Sequence, residues 1–205
     1  MTSTLRHLLI QRAARLQDRP ALSTPEWGTL NYFQLRNRVE GVALGLMTIP
    51  CGSVITSRTG TPWDWVCEVA AACCGLQWEG GGESVDPAIL GGPRFNDESG
   101  RQPYHDREEA VLESTLFQAS RTQGEWLQRL QRLNGKLGWD HASLVEVPAA
   151  ALGTEDGRGA LWCALFAGAH ARLGMEPARK GLAGRFSEVE PAIWESGAFR
   201  SLFLE

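Results

Sequence analysis

Strand-length apolar runs alternate with helix-length amphipathic stretches along most of this chain, and that alternation constrains the fold more than any other feature. Leu5, Leu8, Leu9, Arg12 and Leu16 recur at helical spacing, and Pro20 stops the pattern before a short apolar run, Ala21 to Ser23. After the turn residues Glu26, Trp27 and Gly28, Asn31 with Gln34 three positions on forms a capping box. The helix it opens has the apolar face Leu35, Val39, Val42 and Leu46. Pro50, Cys51 and Gly52 break the chain, and Val54 to Ser57 reads as a strand. Thr61, Pro62 and Asp64 then supply an N-cap, a first-turn proline and a first-turn acid for a helix buried through Val66, Val69, Ala70 and Cys73.

Residues 80–102 are rich in Gly, Pro, Asp, Glu and Ser and keep no period, which predicts a linker between an N-terminal α/β portion, 1–79, and a second one, 103–205. In the second portion the pattern predicts a strand over Val111 to Phe117, a helix from Thr122 to Leu137 and a buried strand from Ser143 to Val147. A helix from Arg158 to Leu173, a short helix near Pro191 and an apolar end, Leu202 to Leu204, follow. Strands alternating with helices imply an α/β fold, with a layered and mainly parallel sheet flanked by helices.

Composition excludes several functions. The net charge is −4, with 20 basic and 24 acidic side chains spread along the chain, so no field suited to nucleic-acid capture develops. No apolar run approaches the ~18 residues of a membrane span, and the Arg-rich start, MTSTLRHLLIQRAARL, reads as a core helix rather than a presequence. Five cysteines, Cys51, Cys67, Cys73, Cys74 and Cys163, form no CxxC pair, and their odd number argues against a disulfide framework. They read as small core residues in a cytoplasmic protein. His7, His105, His141 and His170 have no metal-ligand spacing, so no metal site is expected.

Two tempting patterns also fall away. Asp140, His141 and Ser143 lie too close in sequence for a hydrolytic relay and read as a turn before a strand. The glycines Gly80 to Gly82 are not followed by a helical pattern and so do not read as a phosphate cradle. The eight tryptophans are expected mostly in the core, with a minority at a docking surface.

Asp18, Arg19, Pro20, Ala21 and Leu22, then Leu30, Asn31, Tyr32, Leu35, Arg38 and Val39, resemble an opening pattern "RPAL … LTY … L … R". Gly52 to Val54, Trp65, Ala70 to Ala72 and Gly75 look like its next strand and helix. Leu137, Gly138, Ser143 to Pro148, Gly159, Leu165, Ala167 and Gly168 look like a later strand, loop and helix. Together, in this order, they resemble the large N-terminal domain of the adenylate-forming superfamily: acyl-CoA synthetases, carrier-protein acyl ligases and peptide-synthetase adenylation domains.

That family carries a phosphate loop of serine, threonine and glycine ending in proline and lysine, whose small residues let backbone N–H groups approach the nucleotide phosphates. At the corresponding place this chain has Gln118, Ala119, Ser120, Arg121, Thr122, Gln123, Gly124, Glu125 and Trp126. Ser120, Arg121, Thr122 and Gly124 form what remains of the loop, with one glycine, no lysine and several bulky side chains. Losing two or three charge-assisted hydrogen bonds, at roughly 1.5–3 kcal/mol each, lowers nucleotide affinity on the order of a hundred-fold or far more.

The family's later nucleotide motifs and its mobile C-terminal domain with a catalytic lysine have no counterpart before Glu205, so the resemblance carries over no catalytic residue and no cofactor. It implies a truncated, degenerate, non-catalytic relative that acts as an interaction or scaffolding subunit of an acyl-transfer or acyl-ligase pathway. Two alternatives stay open: an acyl-ligase subunit active only with a second polypeptide, and a small-molecule module that keeps an acyl pocket. Arg129, Arg132 and Lys136 share one helix face, which reads as a solvated surface or as a face for an acidic partner such as an acyl carrier protein.

Overall fold

The computed structural model describes residues 4–57, 59–79, 82–85, 107–116, 121–175 and 197–203. Its described elements are α1 (Leu5–Leu16), β1 (Pro20–Thr24), β2 (Gly28–Asn31), α2 (Tyr32–Leu46), β3 (Val54–Thr56), α3 (Trp63–Cys73), β4 (Gln77–Trp78) and β5 (Glu83–Ser84). They continue with α4 (107–113), α5 (Gln123–Leu137), β6 (Leu144–Val147), α6 (Glu155–Ala167) and β7 (His170–Leu173). Short 3-10 turns cover Ala149–Ala151 and Arg200–Leu202. The chain is α/β, as the alternation predicts, and it divides into two compact units: Met1–Gln11 with Arg36–Leu127, and Arg12–Leu35 with Gln128–Glu205.

The first unit holds a parallel three-stranded sheet in the order β4-β3-β5. Helix α3 is buried along nearly its whole length, from Trp65 to Cys73, because its small residues Ala70 to Ala72 allow close packing on all sides. It ends where Gly75 takes φ +71°, with the Leu76 N–H bonding back to the Ala71 carbonyl at 3.0 Å. Residue Glu40 on α2 is fully buried and is held by Arg6 at 3.3 Å and Arg36 at 2.8 Å. A carboxylate in that position is tolerated only because it is paired.

The second unit holds a four-stranded sheet in the order β2-β1-β7-β6. Strands β1 and β2 form an antiparallel hairpin, whereas β1 with β7 and β7 with β6 are parallel, so the sheet is mainly parallel as expected. Leu22, Ala171 and Val145 lie in register across three strands, and all three are buried. One position further along, the register puts Ser23, Arg172 and Glu146 in line, and strand alternation turns these to the opposite face. Helix α6 packs on β6 and β7. Thr154 caps it by accepting the Gly157 N–H at 3.1 Å.

The capping box read from sequence is present. The Gln34 N–H donates to Asn31 Oδ1 at 2.8 Å, and the Asn31 N–H donates to Gln34 Oε1 at 3.0 Å. Three expectations need correction. Residues 107–113 are helical, so the strand expected over Val111 to Phe117 is replaced by a helix end followed by a single antiparallel bridge from Thr115 to Thr122. The helix expected from Arg158 to Leu173 runs from Glu155 to Ala167 and stops at Gly168, whose φ of +80° suits a residue without Cβ. His170–Leu173 is then a strand, β7, at the centre of the sheet. Gly28–Asn31 is a strand as well, where only a turn and a cap were read. The linker over 80–102 is described only at residues 82–85, and the helix near Pro191 lies outside the described residues.

Candidate functional site

The start of α5 is where a phosphate loop is expected, and its described residues are 121–126. Ser120 lies outside the described residues. Thr122 precedes the first helical residue, and its carbonyl accepts the Trp126 N–H at 3.1 Å. The Glu125 carboxylate folds back over the helix start, where Oε2 accepts the Thr122 N–H at 2.9 Å and the Thr122 hydroxyl at 3.0 Å. The Glu125 N–H points to the Thr122 hydroxyl at 3.4 Å in return. This reciprocal pair is a second capping box, and it places a negative charge at the positive end of the helix.

The inner side of the same turn is structural. Gln123 is fully buried; its Oε1 accepts the Leu5 N–H at 2.9 Å and its Nε2 donates to the Ala72 carbonyl at 2.7 Å. One side chain thereby satisfies an orphan donor at the start of α1 and adds a second bond to the Ala72 carbonyl at the end of α3, which also accepts the Gly75 N–H at 3.3 Å. Arg121 and Trp126 are buried too, and the Arg121 carbonyl accepts the Leu116 N–H at 3.0 Å. Gly124 sits exposed in the first helical turn with open space where a Cβ would be, so no close backbone approach requires a glycine there. The contrast with Gly82 is informative: a Cβ at Gly82 would meet the Ile55 backbone at 2.8 Å, so that glycine serves sheet packing.

The three cations of the proposed partner face have different surroundings. Arg129 is half-buried and donates to the Ser201 carbonyl at 3.0 Å. Arg132 is exposed and reaches Gln128 Oε1 at 3.5 Å, and Lys136 is exposed near the end of α5. Arg132 and Lys136 are therefore the outward cations of this face.

Asp140, His141 and Ser143 form a turn before β6. Asp140 Oδ1 accepts the Ala142 N–H at 2.8 Å and the Ser143 hydroxyl at 3.2 Å, and these bonds hold the Asp140 carboxyl below its usual range. A different trio was not read from sequence. Ser23 Oγ lies 2.8 Å from His170 Nε2 and 2.7 Å from Thr29 Oγ1, which links β7, β1 and β2 through side chains. Burial, then the nearby Arg172 charge, push the His170 imidazole down to about 4, so it is neutral near pH 7. The signal that could have found it is Gly168, a helix-stop residue placed just before a strand-length run.

Cys67, Cys73, Cys74 and Cys163 are buried, as small core residues should be, whereas Cys51 is half-buried. Burial pushes the Cys67 and Cys74 thiols up to about 12 and raises those of Cys73 and Cys163 as well. Trp65, Trp78, Trp126, Trp139 and Trp162 are buried. Among the described residues no group of His, Cys, Asp and Glu is arranged to hold a metal, and no helix is long and apolar enough to cross a membrane.

No family model and no curated protein sequence matches this chain. Solved structures do. The N-terminal subdomain of NpsA from Klebsiella oxytoca, in complex with 3-hydroxybenzoyl-AMSN, is 12% identical, with a TM-score of 0.58 over 85% of this chain and 54% of that one. NpsA-ThdA, an artificially fused adenylation-PCP di-domain from the same organism, is 12% identical with a TM-score of 0.61, over 85% of this chain and 40% of that one. A chain from Rhodopseudomonas palustris assigned as a long-chain-fatty-acid CoA ligase is 16% identical with a TM-score of 0.56, over 85% of this chain and 58% of that one. This chain spans 40% to 58% of the length of these three chains. Over that length it has the fold of the N-terminal part of adenylate-forming enzymes.

Proposed function

We propose that this chain is a non-catalytic adenylate-forming-like protein that acts as an interaction or scaffolding subunit in an acyl-transfer or acyl-ligase pathway. The observation that carries this reading is the start of α5. There Glu125 takes the Thr122 N–H and hydroxyl, and Gln123 is committed to Leu5 and Ala72. A nucleotide phosphate needs free N–H donors and a small, open turn. Here a fixed carboxylate stands at the helix start and would repel a phosphate. The lysine that would neutralise phosphate charge is missing from 118–126.

The partner is an acidic protein of the carrier class, met by the outward cations Arg132 and Lys136 with Arg129 beside them. Its context is supported by the adenylation-PCP fusion among the structures that share the fold. Two assays test the reading. ATP–pyrophosphate exchange with a panel of acyl acids is expected to stay at background, and exchange at the rate of an intact adenylating enzyme would contradict it. Titration with an acyl carrier protein is expected to show salt-sensitive binding that weakens about tenfold or more in R132E/K136E. Equal binding by the wild type and that variant would remove this face from the account.

A further inference from the structure

Residues 197–203 dock on the second unit as a short, self-contained piece. Gly197 opens it at φ +64°, and three backbone hydrogen bonds close within it. The Ser201 N–H donates to the Gly197 carbonyl at 3.1 Å, the Leu202 N–H to the Phe199 carbonyl at 3.1 Å and the Phe203 N–H to the Arg200 carbonyl at 2.9 Å. Because these bonds are local, the turn can move as one body.

Two apolar anchors seat it. Phe199 and Leu202 are buried, the 3-10 turn packs on α6, and the Phe199 ring lies 5.7 Å from that of Trp139. Gly159 makes room for this on α6, because a Cβ there would meet the Phe199 Cβ and carbonyl oxygen at 2.9 Å. Charged contacts surround the anchors. Arg200 Nη2 lies 3.3 Å from Asp156 Oδ2, its Nε lies 3.7 Å from Glu155 Oε2, and its backbone N–H donates to Asp156 Oδ1 at 3.1 Å. The Arg158 guanidinium stands 4.5 Å from the centre of the Phe203 ring.

The same segment reaches the cationic face of α5. The Ser201 carbonyl accepts from Arg129 Nη1 at 3.0 Å, whereas Arg132 and Lys136, one and two turns further on, stay exposed. We propose that residues 197–203 form a displaceable strap that competes with the acidic partner for Arg129, so that the partner engages the whole face only when the strap lifts off α6. This rests on the reading of the α5 cations as the partner face. Docked, the strap ties Arg129 to Ser201. Lifted, it returns that guanidinium to the stripe, where a partner's carboxylate or phosphate is a better acceptor than a neutral carbonyl. Phe199 and Leu202 hold the strap down, while Arg200, 58% exposed, adds ion pairs that solvent and salt weaken. The apparent affinity for the partner is then lowered by the fraction of chains whose strap is down.

The variant R200E in the full chain tests the strap by the sign of its effect. It turns the contacts with Glu155 and Asp156 into repulsion and so favours lifting. It also adds negative charge, which by itself weakens binding of an acidic protein. In calorimetric titration with an acyl carrier protein, R200E is expected to bind about threefold or more tighter than the wild type. Equal or weaker binding by R200E would overturn the strap and leave the partner face standing, whereas binding by neither chain would remove the face and the strap together. Amide exchange over 197–203 in the wild type is a second readout that needs no variant. It should rise about tenfold at saturating carrier protein, and unchanged exchange there would refute displacement.

Discussion

Two loops of the first unit lead into helices, and both have their anion-seeking donors occupied by the chain's own carboxylates, but to different degrees. Before α3, the Ser57 hydroxyl at 2.7 Å, the Thr59 N–H and hydroxyl at 2.8 Å each, and the Gly60 N–H at 2.9 Å all converge on Asp64. Before α5, Glu125 takes the Thr122 N–H and hydroxyl, and the inner side of the turn is filled by Gln123. The first loop is organised around its carboxylate. The second is organised around a buried amide, with the carboxylate as an outer cap. A strand–loop–helix start therefore does not make a phosphate site; what matters is whether its donors are left unspent.

The comparison yields predictions of decreasing size. Gln123→Leu keeps the shape but orphans the buried Leu5 N–H and leaves the Ala72 carbonyl with the Gly75 N–H alone, so it should cost about 1–3 kcal/mol in urea unfolding. A cost under ~0.5 kcal/mol would show that the turn is not organised from inside. Asp64→Ala should cost about 1–2 kcal/mol and Glu125→Ala about 0.5–1 kcal/mol, because the first strips a whole loop of its acceptor and the second removes one cap. The reverse order would break the distinction between the two loops.

A part-buried polar chain in the second unit, Thr29–Ser23–His170, offers a different contrast, because it titrates. The folded His170 pKa of about 4 lies below the unfolded value, near 6.5. Between those values the unfolded chain binds the proton first, so stability is complete above about pH 6.5 and falls as the pH drops toward 4. Because the ring is partly solvent-screened the loss is about 1 kcal/mol, and His170→Asn should flatten that part of the pH profile. A profile identical to wild type would remove His170 as its source.

The smallest effect has the sharpest sign. Gly124→Ala should stabilise the protein by about 0.5–1 kcal/mol, since the residue is helical, exposed and unobstructed. A destabilisation would mean that the turn needs its glycine after all.

What was legible in the sequence was local. The Asn31–Gln34 box, the α3 face and the β6 run each rest on residues within a few positions of one another, and the structure reproduces them. Misreadings came where a local signal competed with a distant one. Val111 and Leu112, followed by Ser114 and Thr115, suggested a strand, but the charged stretch Arg107 to Glu109 carries the helix. Gly168 fits the apolar face of a longer helix as well as it fits a helix stop, and the αL stop prevails, so His170 lies on β7 rather than on α6.

The second capping box, Thr122 with Glu125, was readable in the same way as the first. What could not be read was the use of Gln123, whose partners lie 118 and 51 positions away. The same holds for the contact between Cys51 and Arg107, 56 positions apart.

The central claim we propose is that the start of α5, with Glu125 on the Thr122 N–H and hydroxyl, does not hold a nucleotide phosphate, and calorimetric titration of the pure protein with Mg-ATP and with AMP, beside an intact adenylating enzyme, tests it most directly. The account predicts no binding heat up to millimolar nucleotide while the control binds. Binding at micromolar concentration, lost in a variant of Thr122 or Gly124, would contradict it and restore the turn as a nucleotide site.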